Sequence, residues 1–164
     1  MKRLWKNGDV LTVVLPMRLA VEKCDGGYVV RRGPLVYALQ MGEEWRKTGN
    51  PWPDFKNRPA EAADFEVYPT TPWNYALLID PAKPENSITL AKRPVGKYIF
   101  DSRQPPLLLK VKGRRVPEWK LDEFQNAGDL PPSPVQSSGN LEEITLIPYG
   151  AAKLRVTVFP ILEK

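Results

Sequence analysis

The chain has 164 residues, 42% of them hydrophobic, which is enough for one domain built around a single core. Its net charge of +5 comes from scattered basic residues without a nucleic-acid-binding motif, so we expect no nucleic-acid partner. The sequence contains no histidine and a single cysteine, which excludes histidine-based catalysis, an intrachain disulfide and a multi-cysteine zinc site. No run of about 20 apolar residues is present and the basic start lacks the apolar stretch of a signal peptide, so we expect no membrane partner; the compartment stays open.

Short apolar runs separated by proline and glycine turns dominate the chain. The 18 prolines fall between these runs, as in loop-rich all-β proteins. The predicted strands cover residues 10–15, 18–23, 28–32, 35–41, 65–68, 75–79, 87–91, 107–112, 144–148 and 153–159. Many short strands without alternating helices predict an all-β fold with little helix and long irregular loops, a β-sandwich or jelly roll. We expect it to form a single domain over residues 1–164.

Several connections between the strands have sequence signals of their own. Asp-Gly at residues 25–26 predicts a hairpin turn, and Gly33-Pro34 forces another turn before the apolar strand that follows. The Arg32 side chain, just before this second turn, is expected to bond nearby carbonyl groups or to reach a neighbouring domain, with the structural role favoured.

Two other connections are longer. Residues 42–64 are predicted to be a long irregular segment, and a loop of this length is usually functional or packed against something. Residues 119–126 are compatible with one helical turn, although their periodicity is weak.

Leu-Ile-Pro-Tyr-Gly at residues 146–150 ends one predicted strand. Pro148 removes a backbone donor and Gly150 adds backbone freedom, so the strand is predicted either to end, bend and restart or to change sheets at this corner. We expect the Tyr149 hydroxyl to tie the strand ends together. The residues predicted to fill the core from the following strand are Leu154, Val156 and Val158. The corner is therefore interpreted as architectural.

Five spaced segments, in this order, resemble one protein family. They are Trp-Lys-Asn-Gly-Asp-Val at residues 5–10, Leu-Pro-Met at 15–17, Arg-Gly-Pro-Leu-Val-Tyr-Ala at 32–38, Pro-Trp-Asn-Tyr-Ala-Leu at 72–77 and Leu-Ile-Pro-Tyr-Gly at 146–150. Leu-Pro-Pro-Ser-Pro-Val at 130–135 fits the same pattern. Together they resemble the C-terminal region of glycoside hydrolase family 127, the β-L-arabinofuranosidase-like proteins.

This resemblance implies a fold and limits the chemistry. Family members are described as a catalytic (α/α)6 barrel followed by β-sandwich domains, and this chain is similar only to the sandwich part. The family's cysteine nucleophile, with a zinc ion held by further cysteines and a glutamate, belongs to the barrel, and the lone Cys24 cannot reproduce it. We therefore expect no catalytic residue, metal or cofactor here. The family pattern continues upstream of Trp5, so we also expect the chain to be truncated at its N-terminus relative to the family.

Four residues are candidates for contact with a carbohydrate. Trp52 lies between two prolines in the long irregular segment, where an exposed ring can stack on a sugar. Trp73, Asn74 and Tyr75 place two aromatic rings around an amide, a combination that suits a sugar-binding surface. Packing onto the fold is the alternative for all four, and it is favoured.

Three classes of function follow. The leading expectation is a non-catalytic accessory domain that supports a catalytic barrel, as domain or separate chain, and assists oligomerisation, with a homodimer as one form. The alternative is a free-standing carbohydrate-binding module that uses exposed tryptophans. The third is an independent glycosidase, which needs two convergent carboxylates; Glu142 and Glu143 are adjacent on a predicted strand, so they point to opposite faces. We therefore expect the isolated chain to be inactive.

Overall fold

The computed structural model describes residues 2–48 and 63–163, and it confirms the predicted all-β fold. Within this part of the chain the strands are β1 (Leu19–Cys24), β2 (Gly27–Arg32), β3 (Leu35–Leu39), β4 (Glu43–Lys47), β5 (Phe65–Pro69), β6 (Tyr75–Leu77), β7 (Ile88–Lys92), β8 (Leu107–Arg115), β9 (Glu142–Pro148) and β10 (Val158–Phe159). The helical structure described is limited to two single 3-10 turns, Pro84–Asn86 and Tyr149–Ala151.

One curled antiparallel sheet contains all the strands except β4 and β5, which form a separate hairpin. Its order is β1-β2-β3-β9-β8-β6, with β10 added to β2 and β7 added to β8. Strand β3 is the link between the two halves of the curl, because Leu35 and Val36 pair with β2 whereas Tyr37–Leu39 pair with β9. A strand that changes partners in this way is a usual means of turning a corner in a sandwich.

The chain after β10 closes the curl. The backbone N–H of Leu77 in β6 donates to the carbonyl oxygen of Pro160 at 2.9 Å, and the N–H of Leu162 donates to the carbonyl oxygen of Leu77 at 2.9 Å. Phe159, which is fully buried, fills the centre beside these bonds. The backbone groups of Leu77 are therefore hydrogen-bonded to the chain after β10 in both directions, and this pairing closes the curl around the interior.

The main core lies inside this curl. Its buried residues are Val30, Tyr37, Leu39, Met41, Tyr75, Leu77, Ile79, Ile88, Leu109, Val111, Ile144, Leu146 and Phe159. Two smaller clusters flank it, one around Ile147 and Leu108 and one around Trp119 and Val116. Strand β9 is buried on both of its faces, since the neighbouring residues Leu146 and Ile147 are each fully buried.

The hairpin turn predicted between β1 and β2 is present. Asp25 and Gly26 have φ values of 44° and 83°, and Cys24 lies opposite Gly27, as expected for a two-residue Asp-Gly turn. Both central residues therefore adopt a backbone conformation that ordinary side chains disfavour.

The turn predicted at Gly33-Pro34 is also present, between β2 and β3. Arg32 lies opposite Leu35, so Gly33 and Pro34 are the two residues of the loop. Gly33 has a φ of 56°. Pro34 is exposed at the tip of the turn, where no ladder hydrogen bond requires the backbone N–H that proline lacks. Gly33 thus supplies the backbone conformation of the turn, and Pro34 occupies its exposed tip.

Two strand predictions were wrong in the first half of the chain. Residues 10–15 have no ladder partner among the residues described and form no strand. Conversely, β4 lies within residues 42–64, which were predicted to be irregular. Its sequence Glu-Glu-Trp-Arg-Lys has no apolar alternation, and it forms a strand because it pairs with β5 in an exposed hairpin.

Two further predictions differ from the structure. Residues 119–126 form no helical turn; instead Leu121 makes an isolated antiparallel bridge to Ala127. The predicted strand 153–159 shrinks to β10. Leu154 and Val156 pack against the core as expected, but Phe159 rather than Val158 is the fully buried residue of β10.

Replacing Gly33 with alanine tests the second turn. A β-carbon at Gly33 would lie 2.5 Å from the Met17 sulfur atom at a positive φ, so Gly33→Ala is expected to lower the free energy of unfolding by about 1–2 kcal/mol or more. Urea denaturation measures this change. Gly96→Ala is the matched control, because nothing lies within 4 Å of a β-carbon there. Equal stability of the two variants would contradict this account of the turn.

Candidate functional site

A half-open cleft of about 1150 Å³ lies where β3 ends and β9 begins. The start of the β4–β5 hairpin forms one wall, and residues 97–103, in the connection between β7 and β8, form another. Exposed aromatic rings and charged side chains line these walls, while the ends of core strands form the floor. The cleft therefore offers both apolar and polar contacts to a ligand.

Hydrogen bonds from Gln40 hold the parts of the cleft together. Its backbone N–H donates to the carbonyl oxygen of Thr145 at 2.8 Å, which extends the β3–β9 ladder by one step. Its side-chain amide donates to the carbonyl oxygen of Ser102 at 2.6 Å, which ties the 97–103 wall to the floor. Because Ser102 is itself buried, this wall is anchored from within.

Trp45 in β4 presents its ring to the cleft. The residue is 49% exposed. Its indole N–H donates to the Glu43 carboxylate at 3.0 Å, and its ring packs edge-to-face against Phe65, 6.0 Å between centroids. The polar bond and the ring contact together fix the orientation of the indole.

Tyr75 joins the core to the cleft. Only 5% of the residue is exposed, but its hydroxyl donates to the Glu142 carboxylate at 3.0 Å. Burial, together with this hydrogen bond, raises the pKa of Tyr75 to about 12, so the hydroxyl stays protonated as a donor at neutral pH. Glu143 follows on β9, so its side chain leaves the strand on the other face, and its carboxylate is 3.4 Å from the Lys110 ammonium group. Both glutamates nevertheless line the cleft, which lies at the start of this strand.

The charges around the cleft nearly balance. Its acidic residues are Glu43, Asp101, Glu142 and Glu143, and its basic residues are Lys97, Arg103 and Lys153. Asp101 and Arg103 form a salt bridge at 2.9 Å, whose hydrogen bonds lower the pKa of Asp101 and raise that of Arg103. No group of three or more potential metal-binding side chains occurs within the described residues.

The predicted carbohydrate contacts have different surroundings. Trp52 lies outside the described residues. Trp73 is half-buried and packs edge-to-face against Trp119 at 5.0 Å, while the buried Asn74 amide donates to the carbonyl oxygens of Val116 and Trp119 at 2.9 and 3.1 Å. These contacts hold residues 116–119 against the segment that leads into β6.

Of the three candidates within the described residues, Trp73, Asn74 and Tyr75, only Tyr75 lines the cleft. Sugar contact by all four residues stays a prediction. Sequence reasoning missed Trp45, whose signal was a tryptophan among four charged residues in β4.

The Pro148-Tyr149-Gly150 corner ends β9 with a single 3-10 turn, in agreement with the predicted bend. Within the part of the chain that the structure describes, Tyr149 makes its contact through its ring, over which the Arg155 guanidinium lies at 4.6 Å, and not through a bond from its hydroxyl to a strand end. Gly150 lies under Phe100, and a β-carbon there would be 3.4 Å from the ring. The corner therefore supports the wall of the cleft.

The Arg32-Gly33-Pro34 segment lies apart from the cleft, since none of its three residues lines it. The charge of Arg32 acts on the buried Tyr37 hydroxyl, whose pKa is raised by burial. Gly33 and Pro34 contribute the turn itself, and the exposed Pro34 ring has no reactive group. The segment therefore forms the β2–β3 turn and contributes no residue to the lining of this cleft.

Among the described residues, no neighbour of Cys24 would activate its thiol. The neighbouring carboxylate of Asp25 raises the pKa of the Cys24 thiol, which disfavours the reactive thiolate. The thiol therefore differs from a catalytic nucleophile, whose pKa is lowered by its neighbours.

The fold and the cleft define an all-β protein whose cleft is lined by both aromatic and charged residues. Comparison of the chain with protein-family models, with curated proteins and with solved structures gave no match. In the described ranges, no helix has the length and apolar character needed to span a membrane.

Two tyrosine variants form a matched pair that tests the Tyr75–Glu142 bond. Tyr75→Phe removes this bond and is expected to lower the free energy of unfolding by about 1 kcal/mol. Tyr37→Phe removes a buried hydroxyl that has the Arg32 charge nearby but no partner at hydrogen-bond geometry among the residues described, so a smaller loss of stability is expected. Chemical denaturation of both variants measures the difference; a larger loss in Tyr37→Phe would contradict the assignment.

The raised pKa of Tyr75 predicts a loss of stability at alkaline pH. In the unfolded chain the phenol has a pKa of about 10, and in the folded chain about 12. The stabilisation is therefore complete below pH of about 10 and is lost as the pH rises through about 12. Urea denaturation at pH 8 and pH 11 should show the advantage of wild type over Tyr75→Phe shrinking. A constant advantage would argue against the raised pKa.

Proposed function

We propose that this chain is a non-catalytic accessory β-domain of a glycoside hydrolase of the β-L-arabinofuranosidase type, and that it supports the catalytic domain through its N-terminal arm, residues 10–15. The family assignment is supported by the resemblance of the five spaced sequence segments. The docking role is supported by the exposure of the arm, which is the observation that carries the proposal.

The arm exposes more aliphatic surface to solvent than a monomeric protein usually does. Its sequence is Val-Leu-Thr-Val-Val-Leu, and its five apolar residues are between 57% and 85% exposed. Contiguous apolar surface of this kind is typical of an interface. The arm is also rich in β-branched residues and has no ladder partner within the described chain, so its backbone can add to the surface of a partner.

The base of the arm is attached firmly to the sheet. The Gly33 N–H donates to the carbonyl oxygen of Arg18 at 2.8 Å, and the Met17 side chain packs closely over Gly33. A partner bound to the arm would therefore be held at a defined distance from the β2–β3 turn. This turn belongs to the Arg-Gly-Pro segment on which the family resemblance partly rests.

The double variant Val13→Asp/Val14→Asp tests docking. Two carboxylates in the arm should abolish association with a family 127 catalytic barrel produced without its own β-sandwich domains, because each would be desolvated in the interface. Isothermal titration calorimetry of the full chain against this barrel measures association. The melting temperature should stay unchanged, since both valines are exposed in the free chain.

The controls separate docking from other behaviour. Thr12→Ser changes the arm without adding charge and should bind like wild type. Binding that is equal in the double variant and wild type, or absent in both, would contradict the docking role. Light scattering of the chain alone adds one distinction: a dimer that the double variant converts to a monomer would assign the arm to self-association.

The expected lack of activity is tested with aryl glycosides, including a β-L-arabinofuranoside. The purified chain should give no turnover above the buffer rate. Turnover that Glu142→Gln abolishes would overturn the proposal, because this change keeps an acceptor for Tyr75 but removes the carboxylate.

A second candidate function, carbohydrate binding, is favoured by the cleft. Its walls combine exposed rings with polar groups, which is the composition expected of a saccharide site. This candidate is compatible with an accessory role, because the arm and the cleft involve different residues.

A further inference from the structure

We infer that the cleft beside Trp45 binds a neutral saccharide, with Trp45 as the stacking platform. This inference rests on the second candidate function and not on the accessory role. It moves the predicted carbohydrate contact from Trp52 and Trp73 to a different tryptophan, on β4.

Three exposed aromatic residues supply the apolar part of the site. Trp45 is 49% exposed, Tyr98 66% and Phe100 64%. Trp45 is already held by its bond to Glu43 and its contact with Phe65, so little conformational freedom is lost when a ligand stacks on it. The C–H face of a sugar ring is a suitable partner for such a ring face.

The cleft also contains groups that suit sugar hydroxyls. Glu43 and Glu142 carry carboxylate oxygens that each accept one hydrogen bond from the protein, through an indole N–H and a phenol O–H. A carboxylate accepts more than one hydrogen bond, so both retain capacity for a ligand hydroxyl. The bonds already present fix where these oxygens lie.

The balance of charge decides the class of ligand. Four carboxylates and three cations line the cleft, and Asp101 and Arg103 pair with each other. A phosphorylated or strongly acidic ligand would need an excess of cations, and a metal ion would need clustered ligands, which the described residues lack. An uncharged molecule with apolar ring faces and many hydroxyl groups fits this lining best.

The experiment is a titration of the full chain with neutral oligosaccharides of two to five residues, from arabinan, xylan, cellulose and galactan, followed by calorimetry and tryptophan fluorescence. At least one series should bind with millimolar or tighter affinity. Trp45→Ala and Tyr98→Ala should each weaken that binding by about tenfold or more. Affinity should be the same at low and high salt, since the ligand is uncharged.

Two matched variants and a stability measurement complete the design. Glu44→Gln alters the opposite face of β4, where Glu44 pairs with Arg46, and should leave affinity unchanged. Trp52→Ala should also leave it unchanged. Melting temperatures close to that of wild type show that the exposed Trp45 and Tyr98 were replaced without unfolding the chain.

The inference is overturned if no oligosaccharide binds, if binding survives both Trp45→Ala and Tyr98→Ala, or if Trp52→Ala alone abolishes it. Either of the last two results would mean that the chain binds carbohydrate at a site other than the Trp45 cleft. The first result would remove the second candidate function as well. None of these results bears on docking through the arm, because the arm variants and the barrel are absent from this titration.

Discussion

The register between β3 and β9, with Leu39 opposite Leu146, is the constraint on which the other parts of the structure depend. Leu146 also lies opposite Leu109 of β8, so a single level of the sheet aligns three core leucines. A slip by one residue would turn each slipped side chain to the other face of the sheet. On β9 such a slip would exchange Leu146 with Ile147, and both are fully buried. The same register brings Gln40 beside Thr145, from which the walls of the cleft extend.

Core and cleft are continuous at Tyr75. Its ring belongs to the central core and its hydroxyl lies at the floor of the cleft, bonded to Glu142. The burial that stabilises the ring is also the main reason that the phenol holds its proton. Trp45 shows the opposite arrangement: it lies on an exposed hairpin, and local contacts with Glu43 and Phe65 hold its ring. The site thus combines a floor that is part of the buried core with a wall that depends on a two-stranded hairpin.

Much of the fold follows from local sequence, but the cleft does not. The apolar strands at 107–112 and 144–148 and the Asp-Gly turn are encoded within short windows, so periodicity and turn chemistry predict them. Strand β4 is stabilised by its pairing with β5, which its own charged sequence cannot indicate. Residues 10–15 look like a strand yet have no partner in the described chain. The cleft joins positions about 100 residues apart, such as Trp45 and Glu142, which no short window brings together.

The closure of the sheet also bears on how the chain acquires its structure during synthesis. The bonds that complete the curl connect Leu77 with Pro160 and Leu162, and β10 pairs with β2, so segments far apart in the sequence must meet. The ribosome makes β2, β3 and β6 long before residues 158–162, and until then Val30 and Leu77 have no Phe159 to pack against. The interior that these residues share in the folded protein therefore cannot close before translation has passed this point. Such long-range pairing is slow, and shielding of the open sheet by chaperones would favour correct closure over association with other chains.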